Sequence, residues 1–111
     1  MVGRPPRRDE VWLVSLDTTQ GAEIQKTRPC LIVSPDEMNE HLRTVIIAPM
    51  TTVMRPYPTR VAIRFQRKHG QIVLDQLRTV DRQRLLRKLG RVASSTAQIA
   101  SATLIEMFGR I

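Results

Sequence analysis

The sequence has little of what several common classes of protein need. Its 111 residues include one cysteine, Cys30, which excludes an internal disulfide framework and a cysteine-rich zinc site. No apolar run approaches the roughly 20 residues of a membrane-spanning helix, and the basic N-terminus lacks the apolar core of a secretory signal. One Trp, one Tyr and two Phe are too few aromatic rings to stack several bases. We therefore expect a cytoplasmic protein without membrane association.

Several chemistries also lack their signatures. No glycine-rich phosphate loop is present, so we expect no nucleotide cofactor. No His, Cys or carboxylate cluster has metal-ligand spacing, so we expect no metal site. His41 and His69 are isolated in the sequence and are predicted to be solvated loop residues. Cys30 lies within an apolar strand pattern, which predicts a small core residue rather than a nucleophile.

Positive charge is what the sequence has in excess. Lys and Arg number 18 against 10 Asp and Glu, a formal net charge of +8. Between Arg55 and Arg91 the chain carries eleven basic residues and two acids, Asp75 and Asp81. Such a localised excess predicts a polyanionic partner, because phosphates attract Lys and Arg and release their counterions on binding. With 41% hydrophobic residues, the rest of the composition indicates one globular domain.

The apolar pattern predicts a mainly β domain. A flexible basic arm is expected at 1–8, followed by a single domain at 9–111, because Pro5 and Pro6 block a helix. A mobile loop is predicted at 17–27, and a single helical turn before His41. Short strands are predicted at 11–16, 29–34, 44–48, 60–65 and 72–74. Pro49 is expected to end the third strand, and Gly70 to form a turn.

Two helices are predicted in the last third of the chain. A short basic helix is expected at 81–88, with Asp81 at its positive end and Gly90 after it. In the C-terminal helix Ser95 and Gln98 have capping-box spacing. Its buried stripe is expected to consist of Ala97, Ala100, Leu104, Met107 and Phe108. Short strands followed by a helix predict a small, strongly bent antiparallel barrel with helices at its edge.

Five segments carry a family resemblance through their order and spacing. They are EVWLVSLD at 10–17, GAE at 21–23, TRPCLIVSP at 27–35, APMTT at 48–52 and LDQLRTVD at 74–81. Together they resemble the MazF/PemK family of toxin endoribonucleases over the chain from about residue 8 onward. The resemblance implies an SH3-like barrel of the MazF and CcdB type, usually a homodimer. It also implies a metal-independent enzyme that cuts single-stranded RNA, most often mRNA, at short sequences and leaves a 2′,3′-cyclic phosphate and a 5′-hydroxyl.

The same resemblance implies the catalytic residues. Arg28 matches the catalytic Arg of the family's Arg-Pro motif, and Thr51 matches the catalytic Thr after the third strand. Glu23 matches the acidic residue of the Gly-x-Glu loop. By residue type, Arg28 suits the stabilisation of phosphorane charge, and Thr51 can position or relay a proton. A carboxylate such as Glu23 suits the acceptance of a proton if its loop closes.

RNA contacts are predicted for five further residues. Asp75 and Gln76 match an acid-Gln pair near the family's RNA groove, and Lys26, Thr52 and Arg78 are predicted to bind RNA beside them. One branch of the family is proposed to use this Asp as a base, with an Arg two positions earlier. Val73 stands at that position here. Asp75 has the alternative of simply pairing with Arg78.

Two other functions remain open at the level of sequence. One is a toxin of the same barrel that inhibits a protein such as a topoisomerase and cuts nothing. The other is a non-catalytic barrel that only binds nucleic acid, which the charge alone would support. For the leading hypothesis, the basic surface also predicts an acidic, partly apolar antitoxin that folds as it covers the RNA groove.

Overall fold

A computed structural model describes residues 3–16 and 20–110. Its elements follow one another as β1 (Glu10–Ser15), β2 (Thr27–Ile32), α1 (Asp36–His41), β3 (Thr44–Thr51), β4 (Arg60–Phe65), β5 (Lys68–Val73), β6 (Arg78–Asp81), β7 (Leu85–Arg91) and α2 (Ser94–Phe108). Short 3-10 turns at Leu74–Gln76 and Arg82–Arg84 flank β6. The predicted mainly β fold with a C-terminal helix is confirmed.

The strands form one strongly curled antiparallel sheet in the order β4-β5-β3-β2-β1-β7. The strand β3 changes its partner partway along one edge: Thr44–Ile47 pair with β6, whereas Met50 and Thr51 pair with β5. Its other edge pairs with β2 as far as Pro49. The sheet therefore divides at the end of β3, and this division creates the space described below.

Two hydrophobic clusters lie on opposite faces of β1–β3, as the two-residue period of strands requires. One contains Leu31 and Met50 and is covered by α2. The other contains Ile32, Ile47 and Cys30. Cys30 is fully buried, as predicted, and burial raises the pKa of its thiol to about 12. It is a core residue.

The N-terminal segment contacts β1 through a buried carboxylate. Glu10 is 1% exposed and accepts hydrogen bonds from the Arg7 amide (2.8 Å) and the Trp12 indole (3.0 Å). The Lys88 ammonium lies 2.9 Å from the same carboxylate, and the Arg4 guanidinium lies 3.4 Å away. Burial alone would raise the pKa of Glu10, but these hydrogen bonds outweigh it and hold the pKa below its ordinary value.

Two breakers in the sequence lie inside strands. The prediction that Pro49 ends a strand is wrong, because β3 continues to Thr51. Pro49 lies at the gap between the pairings with β6 and β5, where a residue without an N–H is tolerated. The prediction of a turn at Gly70 is also wrong, since the β4–β5 hairpin turns at Gln66 and Arg67, both with positive φ.

The predicted basic helix at 81–88 is wrong. Asp81 caps only the 3-10 turn, accepting the Gln83 amide at 2.8 Å, and the chain then enters β7. This strand pairs with β1, whose edge would otherwise lack backbone partners. Pairing of the sheet edge therefore outweighs the local preference for helix. Of the loop predicted at 17–27, residues 17–19 lie outside the described residues.

The C-terminal helix is confirmed, with two corrections. It begins at Ser94 after an extended Ala93, so Ser95 is not its cap and no side chain caps it. Ala100 is buried, as the stripe predicted, and Ala97, Leu104 and Met107 pack against the first cluster at partial burial. Phe108 is 69% exposed, because the cluster beneath the helix ends at Met107 and the helix terminus lies past it.

Candidate active site

The division of the sheet brings Arg28 and Thr51 together. Paired residues of β2 and β3 run from Ile32 opposite Ile47 to Cys30 opposite Pro49. Continuing that register by two residues places Arg28 opposite Thr51 on the same face, although the strands have separated there. Two side chains encoded 23 positions apart thus face one space.

The space is an open cleft of about 340 Å³, within the size range of small-molecule sites. One wall is the start of β2, and the other is the β4–β5 hairpin. Lys26 reaches the cleft from a left-handed backbone conformation (φ 71°), and Thr52 follows Thr51 into it. The polar residues of the lining are Lys26, Thr27, Arg28, Thr51, Thr52, Gln66, Lys68, His69 and Gln71.

Local hydrogen bonds orient the two predicted catalytic groups. The Arg28 Nε donates to the carbonyl of Gln25 at 3.0 Å, and within the described chain its guanidinium forms no ion pair. Thr51 is 8% exposed, and its Oγ1 accepts the Val53 amide at 3.1 Å. The Thr51 hydroxyl proton therefore stays available for donation. The arrangement offers a planar cation and a hydroxyl donor to one ligand.

Gly70 sets the position of Thr51, a role that the sequence reading missed. A Cβ on Gly70 would lie 2.4 Å from the Thr51 carbonyl oxygen, closer than any real contact. Only glycine lets β5 approach the end of β3 this closely. The available signal was a glycine inside a strand-like run, which often marks close approach of another backbone.

His69 also lines the cleft, and its predicted place in a loop is wrong. It is exposed, as predicted, but it belongs to β5, because the hairpin turn comes three residues earlier than expected. No sequence pattern linked His69 to Arg28 or Thr51. The pairing of β5 with β3 alone brings them into one cleft.

The remaining predicted RNA contacts line a second groove of about 360 Å³. Its lining consists of Glu23, Ile24, Pro49, Asp75, Gln76, Leu77 and Arg78. Glu23 is exposed, and its carboxylate accepts the Gln20 amide at 2.6 Å. The structure therefore brings Arg28, Thr51, Lys26 and Thr52 together in the cleft and places Glu23 in the other space.

Two side chains of the second groove form hydrogen bonds to other parts of the protein. The Gln76 amide oxygen accepts the Ile24 N–H at 2.8 Å, and its nitrogen donates to the Ala22 carbonyl at 3.5 Å. Asp75 accepts two bonds from Arg60, at 3.0 and 3.2 Å, and one from Thr59. The anticipated pairing of Asp75 with Arg78 is replaced by this bond to Arg60. Partial burial would raise the pKa of Asp75, but Arg60 and Thr59 hold it below its ordinary value.

Cations from both spaces act on the buried Cys30 thiol. Arg28, from the cleft, and Arg78, from the second groove, favour its charged form, although burial dominates its pKa. Pro49, the strand partner of Cys30, lines the second groove.

Two absences complete the description of the site. Among residues 3–16 and 20–110, no three His, Cys, Asp or Glu side chains are arranged to hold a metal ion. Over the same residues, no helix is long and apolar enough to cross a membrane.

Comparison with known proteins assigns the family. Residues 7–108 match the family model of the PemK-like, MazF-like toxin of type II toxin-antitoxin systems. The chain is 36% identical to the endoribonuclease MazF of Staphylococcus epidermidis over 95 residues, which cover 80% of this chain and 79% of that one. It is 30% identical to the endoribonuclease MazF9 of Mycobacterium tuberculosis, covering 91% and 95%. The chain belongs to the PemK/MazF family of toxins.

Solved structures agree with the fold. A MazF crystal structure from Deinococcus radiodurans superposes with a TM-score of 0.85 at 21% identity, covering 97% of this chain and all of that one. A mycobacterial endoribonuclease in complex with its cognate antitoxin gives a TM-score of 0.81 at 27% identity, covering 96% and 97%. The curled sheet with a C-terminal helix is thus the fold of MazF toxins.

Proposed function

We propose that the chain is a sequence-specific, metal-independent endoribonuclease that cuts single-stranded RNA, chiefly mRNA, as the toxin of a type II system. The observation that carries the proposal is the opposition of Arg28 and Thr51 across one open cleft. Both curated relatives are endoribonucleases, and their similarity extends over most of the chain. The products are a 2′,3′-cyclic phosphate and a 5′-hydroxyl.

Arg28 is assigned the stabilisation of charge. As the ribose 2′-oxygen attacks phosphorus, negative charge grows on the non-bridging oxygens. A guanidinium matches two such oxygens with parallel N–H donors and stays charged throughout. Because the Gln25 carbonyl engages only Nε, the terminal nitrogens remain to face the phosphate. The Thr51 hydroxyl donates a hydrogen bond to the same phosphate or to the 2′-oxygen.

Lys26 and Thr52 are assigned to phosphate binding in the cleft, and Arg78 to phosphate binding in the second groove. Glu23 and Gln76 are assigned to the second groove, where base edges of the RNA would lie. A role for Glu23 in proton transfer would require its loop to move toward the cleft. Asp75 also lines the second groove, and its carboxylate accepts a hydrogen bond from Arg60.

We also propose an acidic antitoxin, a homodimeric state and a cytoplasmic location. The +8 charge and the basic cleft suit an acidic chain that competes with RNA. A mycobacterial relative of the same fold is solved with its cognate antitoxin. Exposed apolar side chains on α2, Ile99, Ile105 and Phe108, offer surface for a twofold interface. Sedimentation equilibrium of the purified chain tests the dimer.

The decisive experiment incubates the purified protein with a long single-stranded RNA in excess EDTA. The wild type is expected to give discrete fragments ending in 2′,3′-cyclic phosphate, identified by end-group mass spectrometry. Arg28→Ala and Thr51→Ala are each expected to lower the cleavage rate about 100-fold or more. Arg43→Ala is the matched control, because Arg43 is exposed and lines neither the cleft nor the second groove.

Other outcomes would select the two alternative functions. Steeply salt-dependent RNA binding without any product would indicate a non-catalytic barrel. Growth inhibition that survives combined Arg28→Ala and Thr51→Ala substitution would indicate a toxin that acts on a protein target. Cleavage that EDTA abolishes and Mg²⁺ restores would contradict metal independence.

A further inference from the structure

The cleft holds many proton donors and few acceptors. Its charged side chains among the described residues are Lys26, Arg28 and Lys68, and neither ammonium nor guanidinium can accept a proton in its charged form. None of the described residues that line it is Asp, Glu, Cys or Tyr. The hydroxyl and amide groups present are very weak bases. An attack by a ribose hydroxyl nevertheless requires a group that removes its proton.

His69 is the lining side chain that meets this need. The neutral imidazole carries one nitrogen lone pair that accepts a proton and is the commonest base in enzyme active sites. The carboxylate candidates are placed elsewhere: Glu23 lies in the second groove, and Asp75 is bonded to Arg60.

Strand register puts His69 close to the reacting groups. Thr51 pairs with Gln71 across β3 and β5, and His69 lies two residues before Gln71 on the same face. Diagonal neighbours of this kind are about 7–8 Å apart at their backbones, a distance that a long side chain and a bound ribose can span. Arg28 approaches from β2 on the other side of Thr51. A phosphodiester at Thr51 therefore lies between Arg28 and His69.

We propose that His69 is the general base of the cleavage reaction, an inference that rests on the proposed ribonuclease function. The 2′-O–H bond breaks and its proton passes to an imidazole nitrogen of His69, while the 2′-oxygen forms its bond to phosphorus. The P–O5′ bond breaks, and the leaving 5′-oxygen takes a proton from water at the open mouth of the cleft. The resulting hydroxide removes the proton from the imidazolium, which restores the enzyme.

The charged side chains around His69 are cations from the β2 side of the cleft, from β4 and from β5 itself. Lys26 and Arg28 belong to the β2 side of the cleft, Lys68 precedes His69 on β5, and Arg64 is its partner on β4. These cations attract the phosphate group beside which His69 would act.

The test compares His69→Ala with the wild type, His41→Ala and Arg28→Ala on a short fluorogenic RNA. His41 is the matched control, since it is the other exposed histidine and lies in α1, away from the cleft. We expect His69→Ala to lower kcat/KM about 100-fold, within the range of general base catalysis. Added imidazole should restore activity to His69→Ala in proportion to its neutral form, and should not restore Arg28→Ala. The thermal midpoint of each variant should match the wild type, because both histidines are exposed.

Each outcome decides the matter. A wild type that does not cleave RNA overturns the proposed function itself. If the wild type cleaves RNA and Arg28→Ala does not, but His69→Ala is as active as His41→Ala, the role of His69 alone is overturned. A substrate with sulfur in place of the 5′-oxygen has a leaving group that needs no proton, so the His69→Ala defect should persist on it. Disappearance of the defect on that substrate would make His69 the acid and overturn its assignment as the base.

Discussion

Gly70→Ala is expected to disable the enzyme without unfolding it. Gly70 lies inside β5, directly against the backbone of Thr51 at the end of β3. The methyl group of alanine would lie 2.4 Å from the Thr51 carbonyl oxygen and 3.3 Å from its carbon. The atom in the way is backbone, so it cannot rotate aside as the end of a flexible side chain could. Either β5 or the end of β3 must move.

The size of the movement gives the size of the effect. Ordinary contact begins at 3.4 Å, so the strands must separate by about 1 Å. A misplacement of about 1 Å in a catalytic group can cost roughly 100-fold in rate, and we expect kcat/KM to fall by about that factor. Overpacking costs about 1–3 kcal/mol, and native domains are stable by about 5–15 kcal/mol. Most of the Gly70→Ala protein should therefore remain folded at 25 °C.

The assay pairs cleavage of a fluorogenic RNA with denaturant unfolding of the same preparation. Gly109→Ala is the matched control, because its new Cβ would also meet a backbone carbonyl, that of Ile105 at 2.7 Å, but at the end of α2. It should lose a similar amount of stability and keep its cleavage rate. If Gly70→Ala is folded and cleaves RNA at the wild-type rate, the close approach of β5 does not position Thr51.

Three further expectations concern contacts outside the cleft. The pKa of Glu10 is depressed in the folded state, so its contribution to stability is present above the ordinary carboxyl pKa and is lost as pH falls through the folded value. Glu10→Gln should therefore cost about 2 kcal/mol of unfolding free energy at pH 7 and make that free energy less dependent on acid pH. An unchanged dependence on acid pH would contradict this. Gln76→Ala should speed hydrogen exchange of the Ile24 amide, and exchange at the wild-type rate would show that the 2.8 Å bond does not hold the loop. A double-mutant cycle of Arg60→Ala and Asp75→Asn, read by urea unfolding, should give a coupling of about 1 kcal/mol, whereas additive effects would mean that the ion pair adds nothing.

Local pattern was a good guide where strands and helices pack on a single core. The alternation of Val61 and Ile63 with exposed Arg64 marked β4, and the spacing of Ala97, Ala100 and Leu104 marked α2. The pattern predicts a helix at 81–88, but the second half of this segment enters β7, because the free edge of β1 pairs with it. The pattern also failed at Pro49 and Gly70, which are breakers in isolation. Pro49 is accommodated because β3 itself changes its partner from β6 to β5 there, and Gly70 because β5 comes unusually close to the end of β3.

The candidate site shows the same division. Arg28 and Thr51 were found from the sequence because they stand in short motifs that resemble a family, and the register of β2 with β3 places them opposite each other. The sequence predicts only a solvated loop residue at His69, because a lone histidine carries no local signal of its neighbours. The family resemblance predicts a catalytic role for Glu23 alongside Arg28, yet Glu23 lines the second groove.

The sequence by itself determined the mainly β fold and the basic character of the surface, because composition and periodicity are local or additive properties. Arg28 and Thr51 were indicated by the resemblance of its short motifs to a family. Only the tertiary structure decided that one edge of β3 changes its partner from β6 to β5, and therefore which side chains share the cleft. Strand pairing between residues far apart in the chain depends on backbone hydrogen bonds that any residue type can make, so no local pattern encodes it.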